Sequence, residues 1–272
     1  MSLITVLSPH RDDAAFSLYL SLRKWRQSGT KVTVMNFFTI SAYAPRAGRN
    51  GTEAVSLIRK TEDRRILSRI DRNIHVRDYD LLDAPLRLGI SSGAVCHPDM
   101  QESASASEPE VAALIRKHAS QAFVIAPLGL GGHVDHLVVH NAAIRSLSPG
   151  RLAFYEDLPY ATWTPEPSLR ERIREIEVRI RMRLKPAIIR QGGALYRKQR
   201  VAAEYRSQIS LEEASGIARF AVKYGGGERL WIPRHSKPWA LLTNTHARQS
   251  ASTKGHSRST QAFTGVKPLS RA

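Results

Sequence analysis

Two short clusters, His10-Arg11-Asp12-Asp13 and His133-Val134-Asp135-His136, contain the residue types whose spacing can do chemistry. Adjacent carboxylates buried together repel, and at least one is driven to protonate unless a cation compensates them. Asp12 and Asp13 therefore read as one side of a divalent-metal site. The competing reading is structural: both would suit a helix amino terminus, as capping residues or as partners of the helix dipole. In the second cluster, His136 and His140 at i and i+4 would share a helix face, the geometry of a two-histidine metal site. His133 and His136 at i and i+3 form a rival pair, and a polar helix start with solvated or packed histidines is the alternative to both. Together the clusters supply neutral imidazoles and a carboxylate for a tetrahedral zinc with one open position, and a spare carboxylate as base. A hydrolase needs that inventory.

Positioning such groups requires rigid elements that end at the same place. Residues 3–7 are apolar and β-branched and stop at Ser8-Pro9, after which Phe16, Leu18, Leu20, Leu22 and Trp25 recur at helical intervals over 13–27. Strand-like runs follow at 31–40 and 73–79, around a helix at 52–70 that Thr52 can cap and whose Val55, Ile58, Ile66 and Ile70 face a core. A helix over 108–121, a strand over 122–127, the loop Gly129-Leu130-Gly131-Gly132, a helix over 133–146 and a strand over 151–155 continue the alternation. Residues 165–216 read as mostly helical, with a break near 186–193. This pattern predicts an α/β, Rossmann-like three-layer fold with a mainly parallel central sheet and helices on both faces, where function gathers on loops after the carboxyl ends of strands. Both clusters fall on such loops. Other histidines are weaker candidates: His97-Pro98-Asp99 lacks a second aspartate and a leading strand, and His140 reads as a packed helix residue.

The chain resembles the PIG-L or LmbE-like N-acetylglucosaminyl deacetylases, whose hallmarks are an amino-terminal HPDD-type motif and a later HxDH motif. Ser8-Pro9-His10-Arg11-Asp12-Asp13-Ala14 is similar to the first, with Pro before the His, and His133-Val134-Asp135-His136 matches the second. Arg59-Lys60-Thr61-Glu62, Tyr155-Glu156-Asp157-Leu158-Pro159-Tyr160 and Tyr205-Arg206-Ser207-Gln208 extend the resemblance over about residues 3–235. The chain departs from the pattern at Arg11, where Pro is usual, and at Ala14, where an acid often stands. The resemblance implies that His10, Asp13 and His136 bind one zinc per chain, that Asp12 is the general base acting on water activated by zinc, and that His133, if protonated, stabilises the oxyanion. It makes Asp135 an orienting partner of a histidine. Arg59, which has an Arg59 to Glu62 or Asp63 helix pair as its structural alternative, is expected to contact substrate, as is Asp83 within the loop 80–98. The implied reaction is removal of an N-acyl group, chiefly N-acetyl, from an amino sugar presented free, as a glycoside or on a lipid.

Composition bounds the alternatives. A chain of 272 residues that is 42% hydrophobic can bury one large core, and the single Cys96 excludes an internal disulfide framework or a thiolate zinc cluster. Lacking a charged-then-apolar leader and any apolar run of spanning length, the chain reads as a soluble cytoplasmic protein without a transmembrane segment; homo-oligomerisation is left open. The net charge of +17 favours acidic partners. Much of it lies in the basic stretch 170–200 and in a Ser/Thr/Gly-rich tail with Arg248, Lys254, Arg258, Lys267 and Arg271, which reads as a solvated face plus a disordered appendage rather than a dedicated nucleic-acid site. The rival function is a basic nucleic-acid or anionic-surface binding protein with a vestigial metal site, and a nucleotide-binding protein is disfavoured because no GxGxxG or Walker sequence occurs. The expected organisation is a catalytic domain over 1–245 and a tail over 246–272. Truncation after Asn244 is expected to leave the unfolding transition and acetate release nearly unchanged; loss of either assigns the tail to the domain.

Overall fold

The computed structural model describes residues 3–48, 51–100, 102–191 and 194–243, so the tail over 246–272 lies outside the described residues. The elements run β1 (Leu3–Ser8), α1 (Asp13–Gln27), β2 (Lys31–Asn36), α2 (Thr52–Ile70), β3 (His75–Asp78), α3 (Ala84–Leu88), α4 (Glu108–Ala119), β4 (Phe123–Pro127), α5 (Val134–Ser146), β5 (Leu152–Tyr155), α6 (Glu166–Ile180), β6 (Leu184–Arg190), α7 (Ala194–Ala202), α8 (Leu211–Phe220), β7 (Gly227–Pro233) and α9 (Lys237–Thr243). One seven-stranded sheet has the order β3-β2-β1-β4-β5-β7-β6. Its first five strands are parallel, and β7 runs antiparallel to both β5 and β6.

The two faces of the sheet follow from strand alternation. Ile4, Val6, Ile125, Ala153, Tyr155, Leu230 and Ile232 point to one side, where Leu18, Leu22 and Trp25 of α1, Leu67 of α2 and Trp239 of α9 cover them. Leu7, Val124, Ala126, Leu152 and Phe154 point to the other, under Val111 and Ile115 of α4, Val138 and Val139 of α5, and Ile173 and Ile176 of α6. Because both faces are covered, the central strands β4 and β5 are continuously apolar rather than alternating with polar residues. The result is the expected three-layer arrangement. Among the described residues no helix is long and apolar enough to cross a membrane.

The carboxyl-terminal region departs from the sequence expectation. The break in a helical stretch near 186–193 is in fact the edge strand β6, and Pro186 is tolerated there because an edge strand has one unpaired side. Strand β7 begins at the last glycine of Gly225-Gly226-Gly227, a run that reads only as a turn. Thr52 does not cap α2 either: the N-cap is Gly51, and no side chain caps it.

Helix α1 is bent, and the cause is visible. Leu18 leaves helical geometry (φ −128°, ψ 16°), which frees backbone donors on the next turn. The Glu228 carboxylate of β7 accepts from the N–H of Leu20 at 3.0 Å and of Ser21 at 2.8 Å, and from the Ser21 hydroxyl at 2.7 Å. Lys198 of α7 answers its charge with Nζ at 2.5 Å, both side chains being almost wholly buried. This network joins α1 to the antiparallel edge of the sheet and so fixes the helix that begins at Asp13. Glu228→Ala is expected to destabilise the fold by about 3–5 kcal/mol in urea unfolding, since it strands a buried cation. The double variant Glu228→Gln with Lys198→Met is expected to lose less than Glu228→Ala; an equal or larger loss shows that the unpaired charge is not the cause.

Candidate active site

Strand order reverses between β1 and β4: the chain runs outward from β1 through β2 to β3 on one side, and from β4 to β5 on the other. Such a reversal opens a crevice beyond the carboxyl ends of the two strands. His10 to Asp13 follow β1 and His133 to His136 follow β4, so both clusters meet there. The first turn is folded by Ser8, whose hydroxyl donates to the His10 carbonyl at 2.6 Å and accepts from the Ala14 N–H at 3.1 Å. Asp12 is the N-cap residue of α1, yet its side chain makes no capping bond. The capping alternative therefore fails for Asp12, whose carboxylate faces a cavity of about 200 Å³.

His10, Asp13 and His136 present nitrogen and oxygen atoms that all lie within 4.8 Å of one another. Asp13 Oδ2 is 3.3 Å from His10 Nδ1, and Asp13 Oδ1 is 3.4 Å from His136 Nε2. The other nitrogen of each imidazole is held from behind by a buried carboxylate, His10 Nε2 by Asp135 at 3.0 Å and His136 Nδ1 by Asp157 at 2.7 Å. Carboxylate-backed histidines of this kind fix the ring and raise its basicity toward a metal. A second group, His10, His133 and Asp135, is also compact, but Asp135 is fully engaged. Its Oδ2 accepts from His10 and from the Ala84 N–H at 2.9 Å, and its Oδ1 receives the Arg87 guanidinium at 2.8 Å. A cation beside that carboxylate disfavours a metal there, so the donor set that fits is His10, Asp13 and His136.

The electrostatics agree. Burial alone would lower the His10 imidazole, but hydrogen bonds to Asp13 and Asp135 outweigh it and raise its pKa to about 9. His136 is likewise raised well above its ordinary value despite burial, by Asp13 and then Asp157. Burial would raise Asp13 and Asp135, yet their histidine neighbours, joined at Asp135 by Arg87, hold both carboxyls well below the usual range. The site is built to stabilise positive charge.

His133 is different. Its Nδ1 accepts from the Asp135 backbone N–H at 3.1 Å, so the ring is neutral and its remaining proton is on Nε2. Burial first, then the nearby His10 and His136, hold its pKa well below the ordinary value. This corrects the expectation of a protonated His133: the available donor is a neutral Nε2–H. Arg59 pairs with Asp12 through Nη2 at 3.3 Å and with the Ser41 hydroxyl at 3.1 Å, not with Glu62 or Asp63. Asp83 lines the same cavity but caps α3, accepting from the Leu86 N–H at 3.2 Å. His140 is wholly buried, donates from Nδ1 to the Pro127 carbonyl at 2.8 Å and packs against Phe154, while His97 is largely exposed.

Sequence reasoning assigned no role to Asp157 or Tyr160, although both lie in the quoted stretch 155–160. Asp157 also accepts from the N–H groups of Gly129 and Leu130 at 3.0 and 3.2 Å, tying the β5 loop to the β4 loop. Tyr160 stands edge-on to His136 at 5.3 Å between centroids, and a Cβ on Gly131, whose φ is +75°, would lie 2.5 Å from its ring. The acidic pair Glu156-Asp157 directly after a strand was the available signal for Asp157. Arg87 carried none, since its contact with Asp135 depends on where α3 lies.

The family model for GlcNAc-PI de-N-acetylases, PIG-L, matches residues 5–147. The 2'-N-acetylparomamine deacetylase of Streptomyces fradiae is 30% identical over 230 residues, covering 83% of this chain and 80% of that protein. The crystal structure of A40926 pseudoaglycone deacetylase Dbv21 is 25% identical with a TM-score of 0.57, over 85% of this chain and 96% of the other. The zinc-inhibited form of teicoplanin deacetylase Orf2 superposes with a TM-score of 0.61 at 20% identity, over 85% and 97% of the two chains. The chain belongs to the PIG-L family.

Because Asp157 holds His136 from behind, Asp157→Ala is expected to weaken divalent-metal affinity by about 10–100-fold, measured by competition with a chelating dye. Unchanged affinity removes Asp157 from the metal site.

Proposed function

We propose that this chain is a zinc-dependent hydrolase that removes the N-acetyl group from an amino sugar, with one zinc per chain held by His10, Asp13 and His136. The observation that carries the reading is the convergence of those three donors with the uncapped Asp12 carboxylate on one cavity. Bound there, zinc would acidify water and polarise the amide carbonyl. The remaining chemistry belongs to the chain's own residues. Asp12, oriented by Arg59, accepts the proton of the attacking water as the new C–O bond forms. The Nε2–H of His133 donates to the oxygen of the former carbonyl as charge develops on it, an interaction of the kind whose loss typically costs ~2.7–4 kcal/mol of transition-state stabilisation. Asp12 then returns the proton to the departing nitrogen as the C–N bond breaks, giving acetate and a free amine.

The amino-sugar substrate is supported by the family's description and by the name of the Streptomyces fradiae relative. Arg59 and Asp83 line the cavity and are the groups we assign to substrate hydroxyls, Arg59 through donors beyond its bond to Asp12, Asp83 through the oxygen that does not cap α3. A nucleic-acid or anionic-surface binder with a vestigial site is disfavoured, because donors, base and oxyanion partner are all present and mutually oriented.

Asp12 and Asp13 are adjacent in sequence but differ in task, which makes them the sharpest test. Asp12→Asn is expected to retain zinc and lower kcat for acetate release from an N-acetylated amino sugar by about 10²–10⁴-fold, whereas Asp13→Ala is expected to lose the metal. Zinc content by mass spectrometry and turnover are read on the same samples. Wild-type turnover in Asp12→Asn, together with retained zinc in Asp13→Ala, reverses the two roles and overturns the assignment.

A further inference from the structure

Beside the catalytic cavity lies a larger open cleft of about 580 Å³, lined by Arg46, Arg65, Arg69, Arg200 and Arg206 around a single carboxylate, Glu204. Glu204 is already paired with Arg65 and Arg69. No carboxylate among the described residues pairs with Arg46, Arg200 or Arg206. Five guanidiniums facing one open space against one carboxylate leave a surplus of positive charge that favours an entering anion. Every cation in the lining is arginine, whose planar fork matches phosphoryl oxygens in pairs where lysine offers a point charge.

The cleft and the catalytic cavity share a wall. Ile209 lines both. Three segments carry residues into each space: Tyr43 and Arg46 on the loop after β2, Arg59 and Arg65 on α2, and Gln208 and Arg206 on the turn after α7. Six residues of helix separate Arg59 from Arg65, a rise of about 9 Å. The turn that bears Arg206 is fixed on both sides. Tyr205 donates to Asp63 at 2.9 Å, and the Ser207 N–H and hydroxyl donate to Glu62 at 2.9 and 2.6 Å. The Arg46 N–H in turn donates to the Ser207 carbonyl at 3.2 Å. Arg46 and Arg206 are thus displayed from one braced unit. The catalytic cavity is smaller than the ~300–1,000 Å³ usual for drug-sized ligands, so a substrate larger than one sugar unit extends beyond it.

We propose that the arginine cleft binds a phosphoryl group covalently attached to the amino sugar whose N-acetyl group lies in the catalytic cavity, so that the substrate class is phosphorylated N-acetyl amino sugars. This rests on the deacetylase reading of the neighbouring site. Arg46, Arg200 and Arg206 supply guanidiniums free to take the phosphoryl oxygens, and Arg65 and Arg69 share theirs with Glu204.

The test compares three compounds on the zinc-loaded full chain: the neutral methyl glycoside of N-acetylglucosamine, N-acetylglucosamine 1-phosphate, and UDP-N-acetylglucosamine. Acetate release gives KM and kcat. Calorimetry on Asp12→Asn gives binding without turnover. Each is repeated with Arg46→Gln, Arg200→Gln and Arg206→Gln combined. The expected result is binding of at least one phosphorylated compound about tenfold or more tighter than the neutral glycoside, expressed in KM rather than kcat and reduced at high salt. That preference falls toward unity in the triple variant. The monoester and diphosphate arms separate a simple sugar phosphate from a nucleotide-linked sugar. Equal binding of neutral and phosphorylated compounds, or a preference that survives the triple substitution, overturns the proposal. Absence of acetate from every compound counts against the deacetylase reading, while calorimetry still decides the cleft.

Discussion

Asp13, Asp135 and Asp157 are buried around two imidazoles at one end of the sheet, and their charge has to be answered by something positive. Desolvation makes this demand strict, because an isolated carboxylate in such surroundings would protonate. The structure meets it in layers. Arg87 satisfies Asp135, backbone N–H groups of the β4 loop satisfy Asp157, and Asp13 is left facing His10 and His136 across the space where a divalent cation fits. On the assignment proposed above, this division gives the aspartate of the second cluster the task of orienting a histidine and leaves Asp13 of the first as the one to face a metal.

That arrangement depends on the sheet reversing direction between β1 and β4. Parallel strands place the loops after them on one edge, and the reversal keeps helices from closing over that edge. The antiparallel pair β6 and β7 contributes from a distance, since Glu228 takes up the donors freed by the bend in α1. The first turn of that helix holds Asp13, so the far edge of the sheet helps fix the near side of the site.

Arg11 shows how a departure from the family pattern is absorbed. Its side chain is buried and donates to the carbonyls of Thr39 and Ser56 at 2.8 and 2.9 Å, with Asp78 at 3.4 Å. It therefore joins the β1 turn to α2 and the β2 loop instead of entering the site, and the catalytic cavity keeps the same donors. Some of the chain's surplus positive charge is used in the same structural way, as in Arg87 and Lys198, and some gathers in the open cleft beside the site.

The sequence by itself determined the alternation of strands and helices through β5, the meeting of the two histidine clusters at strand ends, and the exclusion of His97, because these depend on periodicity and on residue types within a few positions. Tertiary structure alone decided the rest. Edge strand β6 was masked by Pro186, whose acceptability depends on having a single neighbour, and β7 by an opening glycine run that suits a turn equally well. Neither the pair His136 with His140 nor the pair His133 with His136 forms a compact donor group of its own: His140 points back to the Pro127 carbonyl, and His136 lies with His10 and Asp13, which follow the neighbouring parallel strand β1. Which carboxylate Arg87 finds and which arginines share a cleft are long-range facts. They depend on loops whose positions are set by packing across the sheet, and no local pattern in the chain encodes a distance between residues dozens of positions apart.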